Sequence, residues 1–399
     1  MAQLFPEPET DPDADWSLPA WLYTDPEALA VEIDRVIRPS WQIVCHESDI
    51  AGAGDYHTLD YAGESVIAIR GADGQVRAFT NVCRHRAMRL VEGPSGWAKK
   101  LVCPYHAWSY ETDGRLTGVP FRADYPTLDM AANGLAPVEV EIWNGFVFVR
   151  LEDRGGPSVA AMMAPYAEEI APYRFADMRT LAPVRLRERP VNWKNVGDNY
   201  SDGLHIPVAH PGLTRLFGKS YRIEAQPWVD RMSGEIDDNR PGNFWERFYR
   251  AHMPRTPHLP EGAGRRWLYY KLWPNQAFDV YADQIDFMQW LPLTPTSCVL
   301  REMAFALPDA FIPQDDRREM KLVRYANWRI NRLVNAEDTW LISRVQQGMA
   351  SRSYIAGPIG ASEVCLRSFA AKIRTLIPEA RQPQAPAPGW SKRPRPVTN

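Results

Sequence analysis

Apolar and polar positions follow two different periods along this 399-residue chain. Between residues 41 and 151 apolar residues come in short runs broken by Gly, Asn and Asp, which predicts strands joined by tight turns. Val66-Ile67-Ala68-Ile69-Arg70 reads as a strand, Gly71-Ala72-Asp73-Gly74 as a turn, and residues 76–80 as the returning strand. A second hairpin signal, Thr112-Asp113-Gly114, follows Trp108-Ser109-Tyr110. Upstream, Thr24-Asp25-Pro26-Glu27 has the form of a capping box with an early Pro, opening a helix that runs to about Val36. Downstream, the polar stretch Glu152-Asp153-Arg154-Gly155-Gly156-Pro157 marks a boundary, and a helix is predicted over 159–169. Residues 267–273, 278–282, 286–291 and 299–307 predict antiparallel strands, with Pro292 and Pro295 at the turn between the last two. Residues 320–349 hold no Gly or Pro before Gly348 and predict one long helix covering that sheet, followed by a shorter helix over 362–377. The pattern amounts to an α+β fold. A small all-β domain (41–151) is inserted into a larger domain (1–40 and 152–380) with an antiparallel sheet and long C-terminal helices. The Pro-rich tail, 381–399, is expected to be disordered or draped on the surface.

Composition narrows the function classes. A hydrophobic fraction of 45% with 24% charged residues is ordinary for a globular protein, and a net charge of -3 leaves no basic footprint for nucleic acid. No apolar run reaches the ~18 residues of a membrane span. The first sixteen residues are acidic and Pro-rich and lack the charged-then-apolar pattern of a secretion signal. Five cysteines, an odd and sparse count, fit a reducing compartment, so a cytoplasmic protein is expected. Cys45, Cys298 and Cys365 lie in apolar surroundings and read as packing residues.

The remaining two, Cys83 and Cys103, each have a histidine close by: Cys83-Arg84-His85 and, seventeen residues after His85, Cys103-Pro104-Tyr105-His106. Two thiolates and two imidazoles are the ligand set of a [2Fe–2S] cluster in which histidines hold one iron. Neutral imidazoles remove negative charge from that iron, so an added electron is accepted more easily. Structural zinc uses the same donors, but zinc fingers usually group Cys with Cys and His with His. A second constellation lies in Asn192-Trp193-Lys194 through Asp202, His205 and His210. Two histidines and one carboxylate, with open positions, suit mononuclear non-haem Fe(II). On an ideal helix His205 and His210 stand about 140° apart, so a helix broken at Pro207 is needed to bring them to one ion. Asp202, three residues before His205, suits either a third ligand or an acceptor that fixes the His205 tautomer.

The spacing Cys-x-His, seventeen residues, Cys-x-x-His, with its flanks Asn81-Val82 and Ala107-Trp108, resembles the Rieske cluster motif. The Asn-Trp-Lys stretch with Asp-x-x-His-x4-His resembles the iron motif of the Rieske non-haem iron oxygenase alpha subunits. In style it is nearest the choline- and carnitine-type monooxygenases. Leu204 stands where many relatives have Tyr, Asp202 where that branch often has Glu, and Ala87-Met88 where Gly-Ala is usual. The resemblance spans residues 18–378. It implies a helix-grip catalytic domain in which His205 and His210 bind Fe(II). It implies that Asp202 bridges His205 to His106 of a neighbouring subunit in a ring of three chains. Relatives carry a similar Glu-Asp eight residues before a Gln, here Gln346, so the resemblance implies Asp338 as the third iron ligand, with Glu337 the competing choice. The implied activity is that of a terminal oxygenase, mono- or dioxygenase, which hydroxylates or oxidatively N- or O-dealkylates a small organic substrate with O2. Quaternary amines, N- or O-alkyl aromatics and aromatic acids all fit, aromatic ring hydroxylation and demethylation included. The chain carries no Gly-rich dinucleotide fingerprint, so an NAD(P)H-dependent reductase, with or without a ferredoxin, is expected as partner. The alternatives are a Rieske electron carrier without oxygenase activity and a zinc-stabilised binding protein.

Overall fold

The computed structural model describes residue 5, residues 11–253 and residues 256–392. The chain divides into two compact units, one of residues 38–167 and 174–180, the other of residues 1–37, 168–173 and 181–399.

In the first unit seven strands form an antiparallel sheet. Their spatial order is Gln42–His46, Phe146–Arg150, Pro137–Trp143, Val76–Thr80, Glu64–Arg70, Asp55–Tyr61 and Ser95–Trp97. The hairpin read from sequence is present, with Val66 opposite Thr80 and Arg70 opposite Val76. A small three-stranded sheet, Leu101–Val102, Ser109–Tyr110 and Leu116–Gly118, carries the second hairpin. Its turn residue Gly114 has φ +87°, and any side chain there would run into the Phe79 ring. Ile67, Ile69, Phe79, Leu101, Tyr110 and Leu116 pack into one core that also contains Cys83 and Cys103. This unit runs on to Ala167 rather than stopping at 151. The reason is Glu141, whose carboxylate accepts from the free amides of Val159 (2.7 Å) and Ala160 (2.8 Å) at the start of helix Val159–Met163. The helix expected over 159–169 is broken into Val159–Met163, a 3₁₀ turn at Ala164–Tyr166 containing Pro165, and Ala167–Ile170.

In the second unit an antiparallel sheet runs in the order Arg185–Arg189, Ser297–Ala306, Gln284–Thr294, Gln276–Val280, Arg266–Leu272, Val229–Glu235 and Arg222–Glu224. The strands Arg185–Arg189 and Arg222–Glu224 were not legible in the apolar pattern, because their sequences are largely charged; the strand Val229–Glu235 and the helix Phe244–Ala251 were not read from the sequence either. Pro292 is not in the turn: it sits within a strand, opposite Cys298, beside a register shift where a missing N–H is tolerated. The first helix is capped by Asp25 rather than Thr24. Asp25 Oδ1 accepts from the amides of Glu27 (2.6 Å) and Ala28 (3.0 Å), and Pro26–Glu32 then passes into a wider turn at Ile33–Ile37. The long helix is Arg317–Met349. Its Val323, Ala326 and Ile330, at helical spacing, pack with Trp267 of the sheet and with Tyr281 just past the end of strand Gln276–Val280. Helix Val364–Leu376 buries Cys365, Phe369 and Ile373 on one face. Cys45 and Cys298 are likewise fully buried.

The Pro-rich tail is anchored rather than disordered as far as Lys392. Trp390 is buried edge-on against Trp21 (5.7 Å), and the Trp21 indole donates to the Gln382 carbonyl (2.9 Å). Residues 393–399, the end of that tail, lie outside the described residues. Among the described residues no helix is long and apolar enough to cross a membrane.

Candidate metal centres

The two Cys–His loops of the first unit are built alike. Cys83 N–H donates to the Met88 carbonyl (2.8 Å) and Ala87 N–H to the Cys83 carbonyl (3.0 Å); Cys103 N–H donates to Trp108 (2.8 Å) and Ala107 N–H to Cys103 (3.0 Å). Ala87 and Ala107 both have φ +57°. An L-residue pays about 1–2 kcal/mol for that conformation, so Ala87 and Ala107 hold the two loops at an energetic cost. Cys83 and Cys103 are each 2% exposed. The Tyr110 hydroxyl accepts from Arg84 N–H (3.0 Å) and lies 3.3 Å from Cys83 Sγ, which leaves its own proton for the sulfur. The His85 and His106 rings lie 4.6 Å apart, and Trp108 stacks on His85 at 4.8 Å.

Nδ1 of His85 and Nδ1 of His106 are both buried without a hydrogen-bond partner. Each such orphan costs about 1–3 kcal/mol. A metal held by these nitrogens and the two buried thiols would satisfy both orphans at once. Burial, reinforced by His106 and Arg86, lowers the His85 pKa and keeps the imidazole in the neutral form that a metal requires.

The second centre depends on how the Asn-Trp-Lys segment is fixed. Asn192 caps the helix Trp193–Ser201, accepting from Lys194 N–H (2.9 Å). The Trp193 indole donates to Glu32 Oε2 (2.7 Å), and Lys194 Nζ pairs with Glu32 Oε1 (2.6 Å), both charged side chains being fully buried. Gln346 Oε1 accepts from Asn192 N–H (2.7 Å) and Asn195 Nδ2 (2.9 Å), while its Nε2 donates to the Tyr23 carbonyl (3.1 Å). Gln346 thus locks the long helix against the segment, with Asp338 about 12 Å further up that helix.

The helix Trp193–Ser201 ends just before Asp202, and Pro207 begins a new short turn, Ile206–Ala209, rather than breaking an old one. Asp202 Oδ1 accepts from Leu204 N–H (2.7 Å) and shapes the connection. His205 Nε2 and His210 Nε2 are brought to 3.0 Å, with Asp338 Oδ1 at 2.9 Å from His210 Nε2 and 3.6 Å from His205 Nε2. Donors in adjacent octahedral positions around a metal at about 2.1 Å lie about 3 Å apart, so this triangle is one face of such a sphere. The outward nitrogens are also engaged: His205 Nδ1 with Asp202 Oδ2 (3.2 Å) and His210 Nδ1 with Glu337 Oε2 (2.7 Å). Glu337 therefore stands behind a histidine, and Asp338 faces both. Asn199 Nδ2 donates to Asp338 Oδ1 (2.7 Å).

Burial opposes charge at each of these groups, and the partners overcome it. The His205 pKa is raised to about 9 by Asp202 and Asp338, and that of Asp338 is lowered to about 2 by His205, His210 and Asn199. The Asp202 carboxyl is held below its usual range by His205 and the Leu204 amide. Sequence reading found His205, His210, Asp202 and Asp338. It gave no role to Asn199 and treated Glu337 only as a rival ligand.

His205, His210, Asp202 and Asp338 line a cavity of about 1020 Å³. Its walls include Tyr200, Tyr221, Tyr269, Phe287 and Trp328. Asp279 and Asp286 face the same cavity from opposite positions on adjacent strands. Asp279 accepts from the Tyr200 hydroxyl and Asp286 from Gln284 (2.6 Å). Among the described residues neither has an Arg or Lys partner. Burial, with Asp286 and Glu302 adding and Tyr200 opposing, raises the Asp279 pKa to about 7. Burial raises that of Asp286 to about 6, against the Gln284 hydrogen bond. Sequence reading missed both residues, although a lone acid in an apolar strand was the available signal.

Two separate centres, one of paired thiols and imidazoles and one of two imidazoles and a carboxylate, define an iron protein that couples a cluster to a single ion. Residues 40–129 match the family model of the Rieske [2Fe-2S] domain, and residues 175–379 that of the ring hydroxylating alpha subunit (catalytic domain). The chain belongs to the Rieske non-haem iron oxygenases, whose cofactors are a [2Fe–2S] cluster and a mononuclear iron. It is 38% identical over 385 residues to the glycine betaine monooxygenase oxygenase subunit of Chromohalobacter salexigens, covering 86% of this chain and 82% of that one. It is 34% identical over 226 residues to the carnitine monooxygenase oxygenase subunit of Escherichia coli K12, covering 54% of this chain and 59% of that relative's length. A crystal structure of a quaternary ammonium Rieske monooxygenase superposes with a TM-score of 0.75 at 25% identity, covering 92% of this chain and 96% of that one.

Proposed function

We propose that this protein is the terminal oxygenase of a multicomponent system, acting on a small organic cation. Cys83, His85, Cys103 and His106 hold the cluster, and His205, His210 and Asp338 hold the mononuclear iron. The observation that carries this reading is the triangle of His205, His210 and Asp338 donor atoms opening on a large cavity; a pure electron carrier needs neither. When bound, the cluster supplies single electrons and the iron activates dioxygen. The balance is R–H + O2 + 2 electrons + 2 protons giving R–OH + H2O. Where the C–H lies beside a cationic nitrogen, the hydroxylated product splits into an amine and a carbonyl compound. Asp202 and Glu337 keep the two imidazoles oriented, and Asn199 holds the Asp338 oxygen in place. Asp202 is the bridge through which a neighbouring chain's cluster, by way of its His106, delivers electrons to His205 in a trimer. The electrons come from a separate reductase, with or without a ferredoxin. The sparse cysteines suit the cytoplasm.

The cation class rests on two supports: the relatives named for carnitine and glycine betaine, and the wall holding Asp279 and Asp286. Two carboxylates facing each other across adjacent strands repel, and a cationic substrate relieves that repulsion. The tyrosine and Phe287 rings offer the faces on which such a cation rests. The test is product analysis with O2 and a reductase over quaternary amines, neutral N-alkyl aromatics and aromatic acids. Turnover of the quaternary amines is expected; turnover of the neutral or anionic compounds alone contradicts the cation class. Asp279→Asn is expected to raise KM for the quaternary amine by about tenfold with a smaller change in kcat, about 1.4 kcal/mol of lost binding. In the unmutated protein KM for the cation falls as pH rises through about 6 to 7, since the two carboxylates ionise over that range. A pH-independent KM equal in both proteins contradicts this role.

A further inference from the structure

Glu337 and Asp338 are consecutive on the long helix, so their side chains leave its axis about 100° apart. Both nevertheless reach His210, from opposite sides of one ring. Asp338 Oδ1 lies 2.9 Å from Nε2 and Glu337 Oε2 lies 2.7 Å from Nδ1. His210 itself is 1% exposed, while Glu337 is a quarter exposed at its side chain and has Arg215 nearby. Arg215 is itself engaged by Glu246 at 2.6 and 2.8 Å. Glu337 is thus directed to the histidine, not taken by the arginine.

We infer that Glu337 is a positioning residue of the mononuclear site, acting through His210 and setting its metal affinity. This rests on the reading above that His210 binds iron. By accepting from Nδ1–H, Glu337 fixes the tautomer that leaves the Nε2 lone pair facing Asp338 and His205, and its negative charge makes that nitrogen a stronger donor. It stops the ring from flipping about its bond to the chain, which would carry Nε2 away from the triangle. It is the counterpart of Asp202 behind His205, so each imidazole has its own carboxylate. The pair Glu337-Asp338 therefore divides its labour: one acid faces the metal, the other faces the ligand's far side.

The experiment uses the full chain with its cluster in place, the mononuclear site emptied by chelation and retitrated anaerobically with Fe(II), and in parallel with Co(II). Four proteins are compared: unmutated, Glu337→Gln, Glu337→Ala and His210→Ala. Partners behind metal-bound histidines typically contribute about 10–100-fold in affinity. Glu337→Ala is expected to weaken metal binding by that factor, with an altered Co(II) visible spectrum. Glu337→Gln, which keeps an accepting oxygen but not the charge, is expected to recover part of the loss. His210→Ala should bind far more weakly than either. Unmutated affinity and spectrum in Glu337→Ala overturn the inference while leaving the iron reading intact. Loss in Glu337→Ala and Glu337→Gln as complete as in His210→Ala makes Glu337 a direct ligand and also overturns it. Unmutated affinity in His210→Ala overturns the iron reading itself.

Discussion

Asp338→Ala is expected to abolish mononuclear iron binding and turnover while the cluster remains. Among the described residues Asp338 is the one carboxylate that faces both histidines, at 2.9 and 3.6 Å. Without it, His205 Nε2 and His210 Nε2 remain 3.0 Å apart with no carboxylate oxygen facing both of them, since Asp202 and Glu337 engage the outward Nδ1 atoms. Groups merely behind metal ligands contribute about 10–100-fold in affinity, so removal of a ligand costs more than that. Turnover is expected at roughly 1% or less of the unmutated level. Cys83, His85, Cys103 and His106 belong to the other compact unit, the two cysteines to its own core, so the visible spectrum of the cluster should persist. Iron analysis and spectroscopy on one purified sample check both halves. Iron retained at the mononuclear site shifts the ligand assignment to Glu337.

The second large effect falls on electron delivery. In Asp202→Ala the cluster is expected to be reduced normally, with its reoxidation on mixing with O2 and substrate slowed by at least about 100-fold. Asp202 touches His205 Nδ1 at 3.2 Å and is one-fifth exposed, so it offers one face to the ligand and another to an incoming group. Its carboxyl, held ionised by His205 and the Leu204 amide, is poised to accept a hydrogen bond from a second imidazole. Iron content separates two roles. A protein that keeps its mononuclear iron and loses transfer identifies Asp202 as the bridge. Rapid transfer at unmutated rates contradicts the bridge.

Sequence made the first unit and both metal motifs readable for a physical reason: ligand spacing is local. Cys83 with His85, and Cys103 with His106, sit in short loops whose flanking strands are patterned by burial. Asp338 was reachable only through resemblance, because 128 residues separate it from His210 and no periodicity links them. Glu337 and Asp338 differ by one helical step, and only geometry shows which one turns to Nε2. The strand Arg185–Arg189 was invisible because Arg185, Arg187 and Arg189 line the cavity, so the inward face carries charge where a core strand would carry apolar residues. The same inversion hid Asp279 and Asp286. For the Pro-rich tail composition left two readings open, disordered or draped on the surface, and as far as Lys392 the second holds, because one indole, Trp390, packs against Trp21.

Stoichiometry of iron and acid-labile sulfide in protein purified anaerobically tests the central claim most directly. A cluster plus one lone ion gives about three iron and about two sulfide per chain, with one iron selectively removed by a chelator. Two iron and two sulfide, or zinc without sulfide, contradicts the pairing of a cluster with a mononuclear iron in this chain.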